Sequence, residues 1–152
     1  MGIEHFGRDC INQRCAAHDA TPLMHATRTG KAEMIEWLVN QAGADQMISD
    51  KYGATALHHA AGDGQSRTCQ VLLSHGNVPV DVTNDEMWTP LHCACAIMTT
   101  MNGKEQGIKE DDRLAVVRVL IEARADRHAQ NNQGITPVDY AELMNFIRSL
   151  SI

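Results

Sequence analysis

The chain has 152 residues, 43% of them hydrophobic and 21% charged, a composition typical of one soluble globular domain. The formal net charge is −6 and no basic run occurs, so neither a nucleic-acid-binding surface nor a membrane surface is expected. No apolar stretch approaches the roughly 18 residues needed to span a bilayer, and the polar N-terminus lacks a signal-peptide pattern. Five cysteines, an odd number, favour a reducing intracellular setting, in the cytoplasm or the nucleus.

One six-residue phrase occurs four times and organises the rest of the sequence. The copies read TPLMHA, TALHHA, TPLHCA and TPVDYA, and they begin at Thr21, Thr55, Thr89 and Thr136. Successive threonines lie 34, 34 and 47 residues apart. A phrase that recurs at a nearly constant spacing indicates a structural repeat, in which each unit completes its core only against its neighbours.

The first unit covers residues 16–49 and follows an N-terminal stub, residues 1–15, whose beginning resembles the end of a helix. The second helix of this unit carries an apolar stripe that is predicted to face the interior: Met34, Ile35, Leu38 and Val39. Trp37 lies beside this stripe, and we expect it to pack in the core between repeats.

The second unit covers residues 50–83 and shows the predicted order of elements most clearly. A tight turn at Gly53 precedes Thr55, whose hydroxyl suits the N-cap of a short helix. A second helix is predicted from about Ser66 to Ser74, with apolar residues at helical spacing.

The third unit covers residues 84–130 and contains an insertion. Its second helix is predicted from Arg113 to Ala123, and the spacing of 47 exceeds a period of 33 by about 14 residues, placed near 98–112. The first part of the insertion is loop-like. A loop on a rigid scaffold often carries the specific function, for which Met98 and Met101 are suitable contact residues. A functionless extension is the equal alternative, because surface loops tolerate added length.

The last unit, residues 131–152, is abbreviated and is predicted to cap the array at the C-terminus. Asp139 stands where the second and third phrases have histidine. The polar residues of this unit suit the outer face that a terminal repeat needs.

The phrase and its period resemble the ankyrin repeat, whose motif is Thr-Pro-Leu-His-x-Ala with a period of about 33 residues. The resemblance implies an all-α solenoid of stacked helix–turn–helix pairs joined by short β-hairpin turns. It also implies that His58 and His92 form hydrogen bonds between neighbouring repeats.

The same resemblance implies a non-enzymatic protein–protein interaction module, an adaptor or an inhibitor, which is monomeric and has no cofactor. A second hypothesis is a targeting domain excised from a larger enzyme or membrane protein, suggested by the helix-like tail at residues 1–9.

Members of this family usually contact partners through the hairpin tips and the exposed side of each first helix, which together form a concave face. By position, the predicted contacts are Arg28, Lys51, Tyr52, Asp85, Glu86, Trp88, Asn132 and Gln133, together with Met98 and Met101 of the insertion. Tyr52 and Trp88 are the most informative, because aromatic residues at such positions concentrate binding energy. The alternative for Trp88 is that it covers the neighbouring hairpin.

No catalytic, metal or cofactor site is predicted. The histidines and cysteines include no Cys-x-x-Cys pair, so a zinc site is not expected. No nucleophile–base signature or phosphate-binding loop is present. The acid pairs Asp85-Glu86 and Asp111-Asp112 are interpreted as solvated charge, the second at a helix start.

Overall fold

The computed structural model describes residues 10–17, 19–75, 78–100 and 109–142. Residues 1–9 of the predicted stub and residues 101–108 of the predicted insertion lie outside this description. The helices, in chain order, are α1 (Pro22–Thr29), α2 (Ala32–Asn40), α3 (Ala56–Gly62), α4 (Ser66–Ser74), α5 (Pro90–Thr100), α6 (Glu110–Glu122) and α7 (Pro137–Glu142). No β-strand occurs within the described residues, so the connections between units are turns.

The helices stack in two layers. The first helices of the units, α1, α3, α5 and α7, follow one another in one layer, and the second helices α2, α4 and α6 follow one another in the other. Within a unit, α1 packs on α2, α3 on α4 and α5 on α6. This arrangement confirms the predicted all-α solenoid.

Each first helix begins at the phrase threonine because that side chain caps it. The Oγ1 atom of Thr21 accepts a hydrogen bond from the Met24 N–H at 3.3 Å. Pro22 occupies the first turn, where a missing N–H is tolerated. At the other end of α1, Gly30 adopts a left-handed conformation with a φ of 70° and terminates the helix.

The core is continuous through the stack, since every layer contributes to it. The leucine of each of the first three phrases is fully buried, as is one large aliphatic residue of each second helix; these residues are Leu23, Leu57 and Leu91, and Ile35, Leu72 and Leu120. Burial of such a side chain contributes about 1.5–3 kcal/mol. Because these residues belong to one cluster shared by consecutive units, one unit cannot be stable alone.

The predictions for α2 were wrong at two positions, Met34 of the inner stripe and Trp37 beside it. Ile35 and Leu38 are buried as expected, but Met34 is 48% exposed and Trp37 is 53% exposed. Residues three apart share one side of a helix, so Ile35 and Leu38 form the inner row. Met34 and Trp37, each one position earlier, form a row that faces outwards.

The non-helical part of the insertion in the third unit is also shorter than expected. Helix α5 continues through Met98 to Thr100, and α6 begins at Glu110 rather than Arg113. No glycine or proline interrupts the chain between Leu91 and Thr100, so nothing in the sequence ends α5 earlier. Asp111 and Asp112 lie in the first turn of α6, where carboxylates interact favourably with the helix dipole.

Two buried histidines connect consecutive units. The Thr55 N–H donates to Nδ1 of His58 at 3.1 Å, and Nε2–H of His58 donates to the Trp88 carbonyl oxygen of the next unit at 2.8 Å. His92 repeats this arrangement with the Thr89 N–H at 3.1 Å and the Ile135 carbonyl at 2.9 Å. The predicted hydrogen bonds between repeats are confirmed.

The partners fix the protonation state of these rings. A backbone N–H can only donate and a carbonyl can only accept, so each ring is the neutral tautomer with its proton on Nε2. A second proton would place an N–H at Nδ1 against another N–H. Burial lowers the pKa of His58 and of His92 below the ordinary value of 6.5.

We expect the free energy of unfolding to decrease as the pH falls below 6.5. Below that pH the unfolded chain binds a proton on each histidine while the folded chain, with its lower pKa, does not. The loss reaches up to about 1.4 kcal/mol per pH unit for each histidine and ends at the folded-state pKa. Urea unfolding between pH 7.5 and 5.5 measures it.

The control is the double variant His58→Gln, His92→Gln, since glutamine also accepts at this position of a capping box. The double variant should be less stable at pH 7.5 and less dependent on pH. An unchanged dependence on pH would show that these rings are not the groups responsible.

Candidate protein-binding face

Equivalent turns precede α3, α5 and α7, and a side-chain oxygen closes each of them. The Oδ1 atom of Asp50 accepts from the N–H groups of Tyr52 at 2.9 Å and Ala54 at 3.0 Å. Asn84 and Asn131 accept from the residues two and four positions later in the same way, at 2.9–3.0 Å. The three tips therefore share one conformation, defined by an Asp or Asn side chain.

Backbone hydrogen bonds join neighbouring tips. The Asp85 N–H donates to the Tyr52 carbonyl at 3.1 Å, and the Asn132 N–H donates to the Glu86 carbonyl at 3.0 Å. These bonds align the tips in a continuous row, which we call the tip ribbon (residues 50–54, 84–88 and 131–135). The structure thus brings together the predicted contact residues of three units, Lys51 and Tyr52, Asp85 and Glu86, and Asn132 and Gln133, all of which are exposed.

Tyr52 is the most exposed large hydrophobic side chain of the tip ribbon. It is 64% exposed, and the Nζ atom of Lys51 lies 5.0 Å from the centre of its ring. That distance is within the range of a cation–π contact, which limits the motion of both side chains. Tyr52 is therefore a large, oriented and accessible group at the tip of the second unit.

Trp88 has the alternative role considered for it from the sequence, packing on the neighbouring unit, and it remains partly exposed. Its ring lies 5.4 Å from the Tyr140 ring and 6.0 Å from the His92 ring, so it covers the neighbouring unit. It is also partly exposed and lines a cavity on the side of the first helices. Truncation of Trp88 should consequently reduce stability as well as any binding.

This cavity lies between α3 and α5 and has a volume of about 340 Å³. Its lining comprises Ala54, His58, His59, Gly62, Asp63, Trp88, Cys93 and Ala96. We call it the inter-repeat cavity. Arg28 is exposed near the end of α1, at the position in its unit that Gly62 occupies in the second. Of the predicted insertion contacts, Met98 belongs to α5 but its side chain is not among the described ones, and Met101 lies outside the described residues.

One carboxylate dominates the electrostatics of the inter-repeat cavity. Burial raises the pKa of Asp63, because its charged form has lost part of its hydration. The imidazole of His59 pairs with the Asp50 carboxylate at 2.9 Å. Burial raises the pKa of the Cys93 thiol to about 12, so this group is protonated at neutral pH and is a poor nucleophile.

Within the described part of the chain, no group of three or more His, Cys, Asp or Glu side chains is placed to hold a metal ion. None of the helices in that part is long and apolar enough to cross a membrane.

A second surface was missed by the sequence reasoning. Met34 and Trp37 border a cleft of about 890 Å³ between the N-terminal parts of α2 and α4, together with Lys31 and Arg67. The signal for this surface in the sequence was that Met34 and Trp37 lie three residues apart, each one position before Ile35 and Leu38. It was not decisive because either row could have faced the interior.

Stacked helix pairs with a shared interior and a row of equivalent turns define a helical repeat protein of the solenoid class. A family model described as "Ankyrin repeats (3 copies)" matches this chain twice, at residues 3–82 and 23–103. A model for a single ankyrin repeat matches residues 86–132. The chain therefore belongs to the ankyrin repeat family. Ankyrin repeats generally mediate protein–protein interaction.

The relatives of this chain come from diverse organisms. It is 28% identical over 150 residues, or 96% of its length, to FPV031 of Fowlpox virus (strain NVSL), named as an ankyrin repeat protein. It is 30% identical over 86% of its length to the ANK repeat-containing protein nipk-1 of Caenorhabditis elegans. It is 29% identical over 99% of its length to transient receptor potential cation channel subfamily A member 1 of Homo sapiens. The chain spans only 40%, 22% and 12% of these proteins, respectively.

The residue type at one backbone position separates the tip of the third unit from those of the second and last units. The residue two positions before the phrase threonine has a positive φ in each turn, 77° at Gly53, 62° at Met87 and 75° at Gly134. A residue with a Cβ atom is strained by about 1–2 kcal/mol in this region. Met87 therefore maintains the common tip conformation at a cost in stability.

We expect Met87→Gly to stabilise the protein by about 0.5–1 kcal/mol, because the relief of strain exceeds the added entropy of the unfolded chain. Met87 is 52% exposed, so little packing is lost. Thermal and urea unfolding measure the change. The reciprocal control is Gly134→Met, at a position where an added Cβ atom would meet nothing within 4 Å, and it should destabilise by a similar amount. Destabilisation by Met87→Gly would contradict the strain argument.

Proposed function

We propose that this chain is a non-enzymatic protein–protein interaction module, an adaptor or an inhibitor, that binds a protein partner through its concave face. That face consists of the tip ribbon and the adjoining side of the first helices. The observation that carries the proposal is the alignment of exposed polar tips, with Tyr52 extended from one and Trp88 partly exposed at the next. Large aromatic groups on a surface otherwise rich in polar residues are the pattern of an interface centre and its rim.

The chemistry of the face favours binding over catalysis. The thiol nearest to histidines in the inter-repeat cavity, that of Cys93, has a pKa of about 12, far above the value of an activated nucleophile. The buried rings of His58 and His92 have both nitrogens engaged with backbone groups and are unavailable for proton transfer. We propose in addition that the chain is monomeric and acts inside the cell, in the cytoplasm or the nucleus.

Tyr52→Ala should weaken partner binding by tenfold or more, because loss of an aromatic residue at an interface centre costs about 2 kcal/mol or more. Stability should change little, as the ring is exposed. Affinity capture with the wild-type protein first identifies partners, and calorimetry with each purified partner then measures the dissociation constants of wild type and variant.

The matched control is Trp37→Ala, which removes another aromatic residue that is more than half exposed, from the other helix layer. Partners that depend on Tyr52 and not on Trp37 support binding by the concave face. If every captured partner retains its affinity for Tyr52→Ala and loses it with Trp37→Ala, the binding face is the cleft between α2 and α4 and the present assignment is wrong.

A second candidate function is that these repeats form the targeting or docking part of a larger protein. The lengths of the relatives favour it, since the matched region is 40%, 22% and 12% of the fowlpox, nematode and human proteins. The two hypotheses share the same binding face and differ in what the chain is attached to. The open reading frame that encodes the chain distinguishes them.

A further inference from the structure

The Asp63 carboxylate is unusual because it is partly buried and has no hydrogen-bond or ion-pair partner among the residues that the structure describes. The ion pairs among the described residues, Arg14 with Asp19 and His59 with Asp50, do not include it. No hydrogen bond to its side chain is formed within the described part of the chain; its backbone N–H donates to the His59 carbonyl at 2.9 Å. A desolvated charge without a partner costs stability, and a binding site is one reason for a protein to keep it.

The other charged groups near this carboxylate leave it accessible. The imidazole of His59 is already engaged by Asp50. The charges of His59 and of Arg28 on the preceding unit both oppose the effect of burial on the pKa of Asp63, yet neither group forms an ion pair with it within 4 Å. A cation that enters the cavity would therefore find the Asp63 oxygens available.

The second group that can interact with a cation is the indole ring of Trp88, which lines the same cavity. An indole ring attracts a cation placed over its face, and the attraction grows when the cation is desolvated. The volume of about 340 Å³ is at the lower end of the range of about 300–1,000 Å³ for small-ligand pockets, so it suits one inserted side chain. Beyond the cavity, Asp85 and Glu86 add negative charge at the neighbouring tip.

We propose that the inter-repeat cavity binds a lysine or arginine side chain from a basic segment of the protein partner, with the cation held between the Asp63 carboxylate and the Trp88 ring. The identity of the occupant as part of a protein partner rests on the proposed function. The preference of the cavity for a cation does not, because it follows from these two side chains. The net charge of −6 also favours approach by a basic segment.

The test uses N-acetyl-arginine amide as the probe and N-acetyl-citrulline amide as its uncharged isostere. Two-dimensional ¹H–¹⁵N NMR spectra of the full chain are recorded during titration with each compound. The arginine compound should cause saturable shifts of the Trp88 indole N–H and of the amides of Gly62 and Gly64. The citrulline compound should bind at least tenfold more weakly. Equal binding of the two compounds, or no shift at these groups, would overturn the proposal.

Two variants assign the effect to the residues. Asp63→Asn keeps the shape of the side chain and should weaken binding of the arginine compound at least tenfold, with amide shifts elsewhere unchanged as evidence of folding. Arg28→Gln removes the competing positive charge and should strengthen binding about two- to fivefold. Unchanged affinity in Asp63→Asn would exclude the carboxylate as the cation acceptor.

Failure of the cation site can be distinguished from failure of the proposed function. If Tyr52→Ala abolishes partner binding while the arginine compound does not bind, the concave face binds proteins but the cavity does not select a cation. If the arginine compound binds and no partner depends on Tyr52, the cavity is a cation site and the larger interface assignment fails.

Discussion

A buried imidazole that forms hydrogen bonds in two directions ties each of the two middle units to its successor. His58 accepts from the N-cap of its own helix and donates to the carbonyl of Trp88, which also accepts from the Asn84 N–H at 3.0 Å. The His58 ring thus links the start of its own helix to the base of the tip in the next unit. Both hydrogen bonds of the ring require its neutral tautomer, so protonation of the imidazole disrupts them. Hydrophobic burial supplies most of the stability, while the histidines fix the register between units.

The first and the last unit lack this tie because neither has histidine at the fourth position of its phrase. Met24 occupies the histidine position of the first unit and is fully buried, so the first two units are held by apolar packing. Asp139 occupies it in the last unit, where its Oδ2 atom accepts from the Thr136 N–H at 2.8 Å. The aspartate keeps the capping role of the histidine without reaching beyond its own unit. The histidine hydrogen bonds between units therefore run from the second unit to the last, while the apolar core extends through the first unit as well.

The proposed binding face depends on the same constraint, because a carbonyl at the base of each later tip is held by the preceding unit. Tips fixed in this way lose little conformational entropy on binding, which favours affinity. The inter-repeat cavity has a further cause. Ala54, Gly62 and Ala96 leave space between α3 and α5 that larger side chains would fill. The small residues at these positions let the helices stack closely. They also leave the partly buried Asp63 carboxylate accessible from the cavity.

The sequence by itself determined the repeat, the helices that cap at each phrase threonine and the two histidines that bridge units, because each of these is a local pattern at fixed spacing. It also gave the order of the tips, and so the predicted contact residues that the structure brings side by side. It could not decide which of two adjacent rows of α2 faces the interior, so Trp37 was expected in the core and lies outside. Nor could it reveal the cavity, since Asp63 and Trp88 are 25 positions apart in the chain and meet only when α3 and α5 pack. Helical periodicity is a property of the chain, whereas the side that is buried and the space left between helices are decided by the neighbouring units.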